Sequence, residues 1–261
     1  MVKECYRVAA LAAFRYLRDA MRTCHGETIT VMTMRRIIDY CFFFAIAWTM
    51  AFPAFAQGGK SATAARMERQ GLVDIHEIDP SIKVSLMYAR PDNFCGEVLY
   101  TDLREAYLHP KAAKALKKAQ AYLKTIRPDL SLKIYDATRP MSVQRKMWDK
   151  VKNTKKYFYV SNPARGGGMH NYGMAVDITL CDARGDTLDM GTKVDYMGKA
   201  AHIDNEAALV RSKTISAKAK ANRELLRKVM RHAGWMPLRT EWWHFNLCSR
   251  ATARKYYKVI K

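Results

Sequence analysis

The sequence predicts an α+β fold, one domain in which a mainly antiparallel sheet carries flanking helices. Three observations lead there. Helix and strand patterns are mixed along the chain without the steady β-α-β alternation that builds a parallel sheet. With 261 residues, 49% of them hydrophobic, the chain can bury one core of ordinary size. No segment repeats at a fixed period, which excludes solenoids and propellers.

The N-terminal part reads as an export segment. Arg35-Arg36 precede an apolar run from Cys41 to Ala51, and Ala54-Phe55-Ala56 follows as a cleavage site. The run falls short of the ~20 apolar residues a spanning helix needs. Stable membrane insertion is therefore not expected after cleavage, with an uncleaved anchor as the alternative. Translation from Met32 or Met34 would give this segment its usual position. Residues 1–33 are thus expected to be an upstream extension outside the native protein, and residues 34–56 a signal peptide. Residues 57–71 read as a small, polar linker and residues 72–261 as the folded domain, exported to the periplasm.

The net charge is +21. Lys111 to Lys124 and Lys213 to Arg231 read as helices with solvated basic faces, or as attraction to lipid head groups or a wall polymer. No nucleic-acid motif accompanies them, so no nucleic-acid partner is expected. No pattern fixes an oligomeric state. Cleavage after Ala56 leaves Cys95, Cys181 and Cys248, enough for at most one disulfide. Cys181 lies four residues past Asp177, and Cys248 four past His244. If those strands are neighbours, Cys181 and Cys248 would pair; unpaired core cysteines are the alternative.

Within the domain, Val73-Asp-Ile and Ile82 to Met87 read as short strands. In the second, Ile82, Val84 and Leu86 alternate with Lys83 and Ser85, as on a half-buried strand. Arg90 to Gly96 is turn-rich. Pro110 opens a helix where its missing N–H costs nothing. Leu116, Ala119, Leu123 and Ile126 mark its buried stripe, and Arg127-Pro128 ends it. Leu132 to Ala137 is a strand that runs into Thr138-Arg139-Pro140, where Pro140 holds Arg139 extended. Ser142 is expected to cap a short helix through Val151, with Val143, Met147 and Trp148 turned inward. Met174, Val176, Ile178 and Leu180 alternate with Ala175, Asp177 and Thr179 as a strand. A loop bearing Asp186, Asp189 and Asp195 follows. Ala207 to His232 reads as helix, buried through Leu225, Leu226, Val229 and Met230, and Gly234 stops it. Trp242 to Leu247 closes the chain's sheet as an aromatic-rich strand.

Two clusters carry chemistry. His170 stands seven residues before Asp177 with Gly173 between them, and Glu241-Trp-Trp-His244 comes later. Two His, one Asp and a spare Glu are the donor set of a catalytic zinc site: three protein ligands, an open position and a base beside it. Both pairs are separated by an odd number of residues. A continuous strand would turn their members to opposite faces. Each pair is therefore expected to be built as a loop leading into a strand, and Gly173 permits the turn. Taken singly, each residue also fits a plainer role: a hydrogen-bonded histidine, a strand-end cap, a partner for lysine. Gly166 to Gly168 lacks the Lys-Ser/Thr of a phosphate loop.

His170-Asn-Tyr-Gly-Met-Ala-Val-Asp177 and Glu241-Trp-Trp-His244-Phe resemble the zinc D-Ala-D-Ala dipeptidases, which are related to the D,D-carboxypeptidases and the hedgehog signalling domain. Met87 to Phe94, Tyr135 to Pro140 and Met190 to Asp195 resemble the same branch. The resemblance implies a hedgehog/DD-peptidase-like fold and one Zn2+ per chain, held by His170, Asp177 and His244. It implies Glu241 as general base, Arg139 steadying the transition state and Asp195 pairing with the substrate's ammonium. The implied substrate is the D-alanyl-D-alanine dipeptide or a related peptidoglycan fragment. The alternatives are a D,D-carboxypeptidase acting on longer stem peptides and a non-catalytic wall-binding module. Where these dipeptidases often carry Ser two residues before the first His ligand, this chain has Gly168.

Overall fold

A computed structural model describes residues 60–261. The expectations for residues 1–33 and 34–56 lie outside the described residues. A five-stranded sheet organises the domain: β2 (Lys83–Val84), β4 (Ser131–Asp136), β5 (Ala175–Cys181), β7 (Glu241–Asn246) and β6 (Met236–Leu238), side by side in that order. Only the β2–β4 pair is parallel; the other three pairs are antiparallel, as the sequence led us to expect. A two-stranded ribbon joins β1 (Val73–Asp74) to β3 (Tyr107–Leu108).

The centre of the sheet is β5, all seven residues of which are buried. Its apolar alternation therefore serves one face, while Asp177 and Thr179 are buried on the other. Helix α3 (Pro110–Ile126), with Pro110 in its first turn, buries Leu116, Ala119 and Leu123. Each such Leu contributes about 1.5–3 kcal/mol. Helix α6 (Ala217–His232) packs beside α3 through Leu226, Val229 and Met230.

Several expectations are corrected. The stretch read as a linker holds α1 (Ala62–Arg69), whose Ala64 and Met67 are fully buried in the core. Ser61 accepts a hydrogen bond from the Ala64 amide and starts that helix. Ile75–Ile78 turns into a short helix, α2, capped by Asp74. The helix expected to be capped by Ser142 starts earlier: α4 spans Met141–Val151 and Pro140 is its capping residue. The helix expected from Ala207 to His232 is two, α5 (Glu206–Arg211) and α6. Ser216 Oγ accepts from the Ala219 amide at 2.9 Å, so a side chain restarts the helix where the backbone has left it. The pairing of Cys181 with Cys248 does not form; both are free thiols. Since β5 and β7 are antiparallel with Asp177 opposite His244, moving four residues onward from each leads to opposite ends of the pair.

Candidate active site

Three adjacent strands converge on one point. Asp177 on β5 lies across from His244 on β7 and, on its other side, from Asp136 on β4. His170 comes from a 3-10 turn, Met169–Tyr172, that delivers the chain into β5. Gly173 ends this turn at φ 66°, and a Cβ there would stand 2.9 Å from the His109 amide nitrogen. Only glycine fits both constraints. His170 thus sits off the strand, as its odd spacing from Asp177 requires.

Glu241 departs from that expectation, because it is the first residue of β7 rather than part of a loop. The pairing with β6 jumps from Pro237–Phe245 to Leu238–Glu241, a bulge on the β7 side. Bulges re-aim side chains, and here Glu241 Oε2 comes to 3.9 Å from His244 Nδ1 despite the odd spacing.

The donor atoms are organised for a cation. His170 Nδ1–H donates to the Ala137 carbonyl at 2.7 Å, which leaves the lone pair on Nε2. His244 Nε2–H donates to Asn246 Oδ1 at 2.9 Å, which leaves the lone pair on Nδ1. Those two nitrogens face each other at 3.2 Å. Asp177 adds Oδ1 at 3.0 Å from His244 Nδ1 and Oδ2 at 3.3 Å from His170 Nε2. Lone pairs converging in a buried place repel unless a positive charge stands among them. The set of His170, Asp177 and His244 fits a bound metal ion for that reason, and all its ligand atoms lie within 4.8 Å of one another.

Burial alone would raise the Asp177 carboxyl, but the charges of His170 and His244 and their hydrogen bonds hold it well below the usual carboxylate range. Burial works against charge on His170, yet Asp177 pulls its pKa upward. Glu241 is pushed up to about 8, by burial first and then by the charges of Asp177 and Asp195, against the pull of His244. Asp195 is pushed up to about 7, again by burial first and by Asp177, while a hydrogen bond from Tyr88 opposes the shift.

Arg139 is buried against the same cluster. Its guanidinium donates to Asp136 Oδ2 from Nε (2.9 Å) and Nη2 (2.5 Å), and to Gln144 Oε1 from Nη1 (3.0 Å). Its main chain is locked to the histidine turn: the Arg139 amide donates to the His170 carbonyl, and Asn171 Nδ2 donates to the Arg139 carbonyl. Asp195, at φ 64°, accepts a 2.6 Å hydrogen bond from Tyr88 Oη, and the Tyr88 ring lies under the Arg139 guanidinium at 5.1 Å. His170, Asp177, His244, Glu241, Arg139 and Asp195 all line one cavity of about 430 Å³. Every sequence-predicted site residue is thus brought to one place.

Sequence reasoning missed Asp136, Tyr88 and Asn246. Asn246 had a signal, since it stands two residues after His244 on a strand and so shares its face. At Gly168 a Cβ would stand 2.9 Å from Ser161 Oγ, so the Ser161 hydroxyl occupies the ground a side chain at 168 would take.

A model of the D-ala-D-ala dipeptidase family matches residues 68–261. The chain belongs to this family. It is 34% identical over 181 residues to the D-alanyl-D-alanine dipeptidase of Escherichia coli K12, covering 69% of this chain and 86% of that protein. It is 26% identical over 203 residues to the D-alanyl-D-alanine dipeptidase of Enterococcus faecalis V583, covering 72% of this chain and 96% of that protein. A solved structure of VanYB in complex with D-Alanine-D-Alanine matches at 15% identity and TM-score 0.32, over 57% of this chain and 76% of that one, a likeness too loose to carry an argument. Family membership agrees with the hedgehog/DD-peptidase-like fold that the motifs imply, and the matched region begins within the helix once read as linker.

Proposed function

We propose that this protein is an exported zinc peptidase that hydrolyses D-alanyl-D-alanine, with Glu241 as general base. The observation that carries the reading is the meeting of His170, Asp177 and His244 beside Glu241, Arg139 and Asp195 in one cavity. Two imidazoles and one carboxylate favour zinc over the oxygen-seeking calcium and magnesium. His170, Asp177 and His244 would hold it, each offering one ligand atom, and those atoms lie within 4.8 Å of one another. When bound, zinc supplies Lewis-acid polarisation and a nucleophile at neutral pH.

The chain's own residues do the rest. Glu241, in its carboxylate form, is the base of the reaction. It takes a proton from the attacking water and delivers it to the leaving amine. Asp136 and Gln144 use three of the five N–H groups of Arg139. One N–H on each terminal nitrogen remains for the negative charge that develops on the carbonyl oxygen. Losing such a donor costs on the order of 3 kcal/mol of barrier. Asp195 receives the substrate's ammonium and selects a dipeptide over a longer peptide, which has no ammonium at that position. Export is supported by the apolar segment before Gln57, and a peptidoglycan fragment is the substrate class that such a location offers.

The test is turnover of D-Ala-D-Ala beside a stem pentapeptide, with and without a chelator. The dipeptide should be cleaved preferentially and chelation should stop it. Preference for the pentapeptide would move the reading to a D,D-carboxypeptidase. Glu241→Gln should lower kcat by roughly 10²–10⁴ with the zinc stoichiometry unchanged. A fully active variant would remove Glu241 from the mechanism.

A further inference from the structure

The cavity has a basic end that the roles above leave unused. Three arginines, Arg165, Arg250 and Arg254, gather at the Gly166–Gly167 turn. Arg250 Nη2 donates to the Gly167 carbonyl and, at 3.4 Å, to the Arg165 carbonyl; Arg254 Nη2 also donates to the Arg165 carbonyl. These are contacts to neutral oxygens. Burial first, and then the like charges of Arg254 and Arg165, lower the Arg250 pKa, against an opposing pull from Tyr172. Among the described residues, no carboxylate lies within ion-pair distance of any of the three. Like charges held together without a counter-charge raise the energy of the folded state and attract an anion.

Arg250 is the member of this group that lines the catalytic cavity. Its position along the site is set by β7. Near the start of that strand, Trp242 Nε1 donates to Thr192 Oγ1 at 2.8 Å and ties down the loop that carries Asp195. Arg250 follows the strand's other end, beyond Asn246, as the first residue of α7 (Arg250–Tyr256). His244 lies between. Asp195, the ligand set and Arg250 thus line one cavity, with the Asp195 loop tied near one end of β7 and Arg250 following the other.

We propose that Arg250 forms a carboxylate-binding subsite, so that the cavity reads both termini of a zwitterionic dipeptide: Asp195 the ammonium, Arg250 the carboxylate. This rests on the dipeptidase reading. Arginine suits the task, since Nη1 and Nε keep N–H groups to offer a carboxylate while Nη2 stays on the Gly167 and Arg165 carbonyls. It also gives the site a means of refusing peptides extended or capped at the C-terminus, which lack a carboxylate at that distance from the scissile bond.

The experiment compares D-Ala-D-Ala with D-alanyl-D-alaninamide, its C-terminal amide, on the zinc-loaded full chain. The wild type should favour the free acid at least tenfold in kcat/KM. Arg250→Met should lower kcat/KM on the free acid at least tenfold, chiefly through KM, and leave the amide nearly unchanged. Arg250→Lys should recover part of the loss. Because Arg250 is exposed, the variants should keep their zinc content and melting temperature. If Arg250→Met retains the wild-type preference for the free acid, the subsite is wrong while the dipeptidase reading stands. If the wild type cleaves neither compound, both fall together.

Discussion

At the residue scale, the histidines are set by what their outer nitrogens touch. His170 leans on a backbone carbonyl, Ala137, which no substitution can remove. His244 leans on a side chain, Asn246. Outer partners of this kind typically hold 10–100-fold in metal affinity. Asn246→Ala should therefore weaken zinc binding by about that factor, read by competition with a chromogenic chelator, with the fold intact. Unchanged affinity would mean that β7 packing alone orients His244. The same contrast explains what was legible in the sequence. His170, Asp177, Glu241 and His244 declare their chemistry by residue type. Asp136 does not: it is an acid at a strand end until Arg139, from three residues on, and Tyr100, from a distant loop, both turn out to bond it.

At the element scale, the loop from Asp189 to Ala200 is held by α6. Arg223, fully buried, donates to the Met190 carbonyl at 2.7 Å and to the Ala200 carbonyl at 3.0 Å, the two stems of the loop that carries Asp195. Asn222 donates to the Asp189 carbonyl, and Ser216 to its carboxylate. Glu206 holds the Arg223 and Arg227 guanidiniums in place from α5. Periodicity reveals the apolar face of such a helix, but a buried arginine looks like any other basic residue in a lysine-rich segment. For the same reason the break between α5 and α6 was not legible, since Ser212, Thr214 and Ser216 act through side-chain hydrogen bonds that leave the apolar period intact. Arg223→Lys shortens the reach and loses the fork. It should raise KM for D-Ala-D-Ala and reduce the preference over N-acetyl-D-Ala-D-Ala, with zinc content unchanged. Asn222→Ala, a milder cut in the same clamp, should move the preference in the same direction. Unaltered preference in both would separate the clamp from substrate selection.

At the scale of the whole molecule, sheet order is what brings the donors together, and it imposes a cost when no cation is bound. The strand order β4-β5-β7 could not be read from the sequence, because register and neighbour choice depend on pairings far apart in the chain, such as Asp136 with Asp177 and Asp177 with His244. That order buries Asp177 and, with the loop that carries Asp195, leaves Glu241 and Asp195 half-buried around one cavity. In the metal-free protein, Glu241 is raised to about 8 and Asp195 to about 7, and His170 is raised as well. All three bind protons more tightly folded than unfolded. Their contribution is fully present below the unfolded values, about 4 for the carboxyls and about 6.5 for the histidine, and is lost as pH rises through the folded ones. Asp177, held low, acts only in acid, losing its contribution as pH falls below about 4. Between pH 5.5 and 8.5 the folded state therefore carries the extra protons, and stability declines as pH rises. Metal binding runs the other way, because the ligands must be deprotonated to bind. The gap in melting temperature between zinc-loaded and chelated protein should accordingly widen from pH 5.5 to pH 8.5, with most of the movement in the chelated sample. Each pKa unit is worth about 1.4 kcal/mol, so shifts of this size amount to several degrees in a scan of thermal unfolding. A gap that stays constant or narrows would mean that Glu241 and Asp195 are solvated in the metal-free protein, and that the cavity opens when its cation leaves.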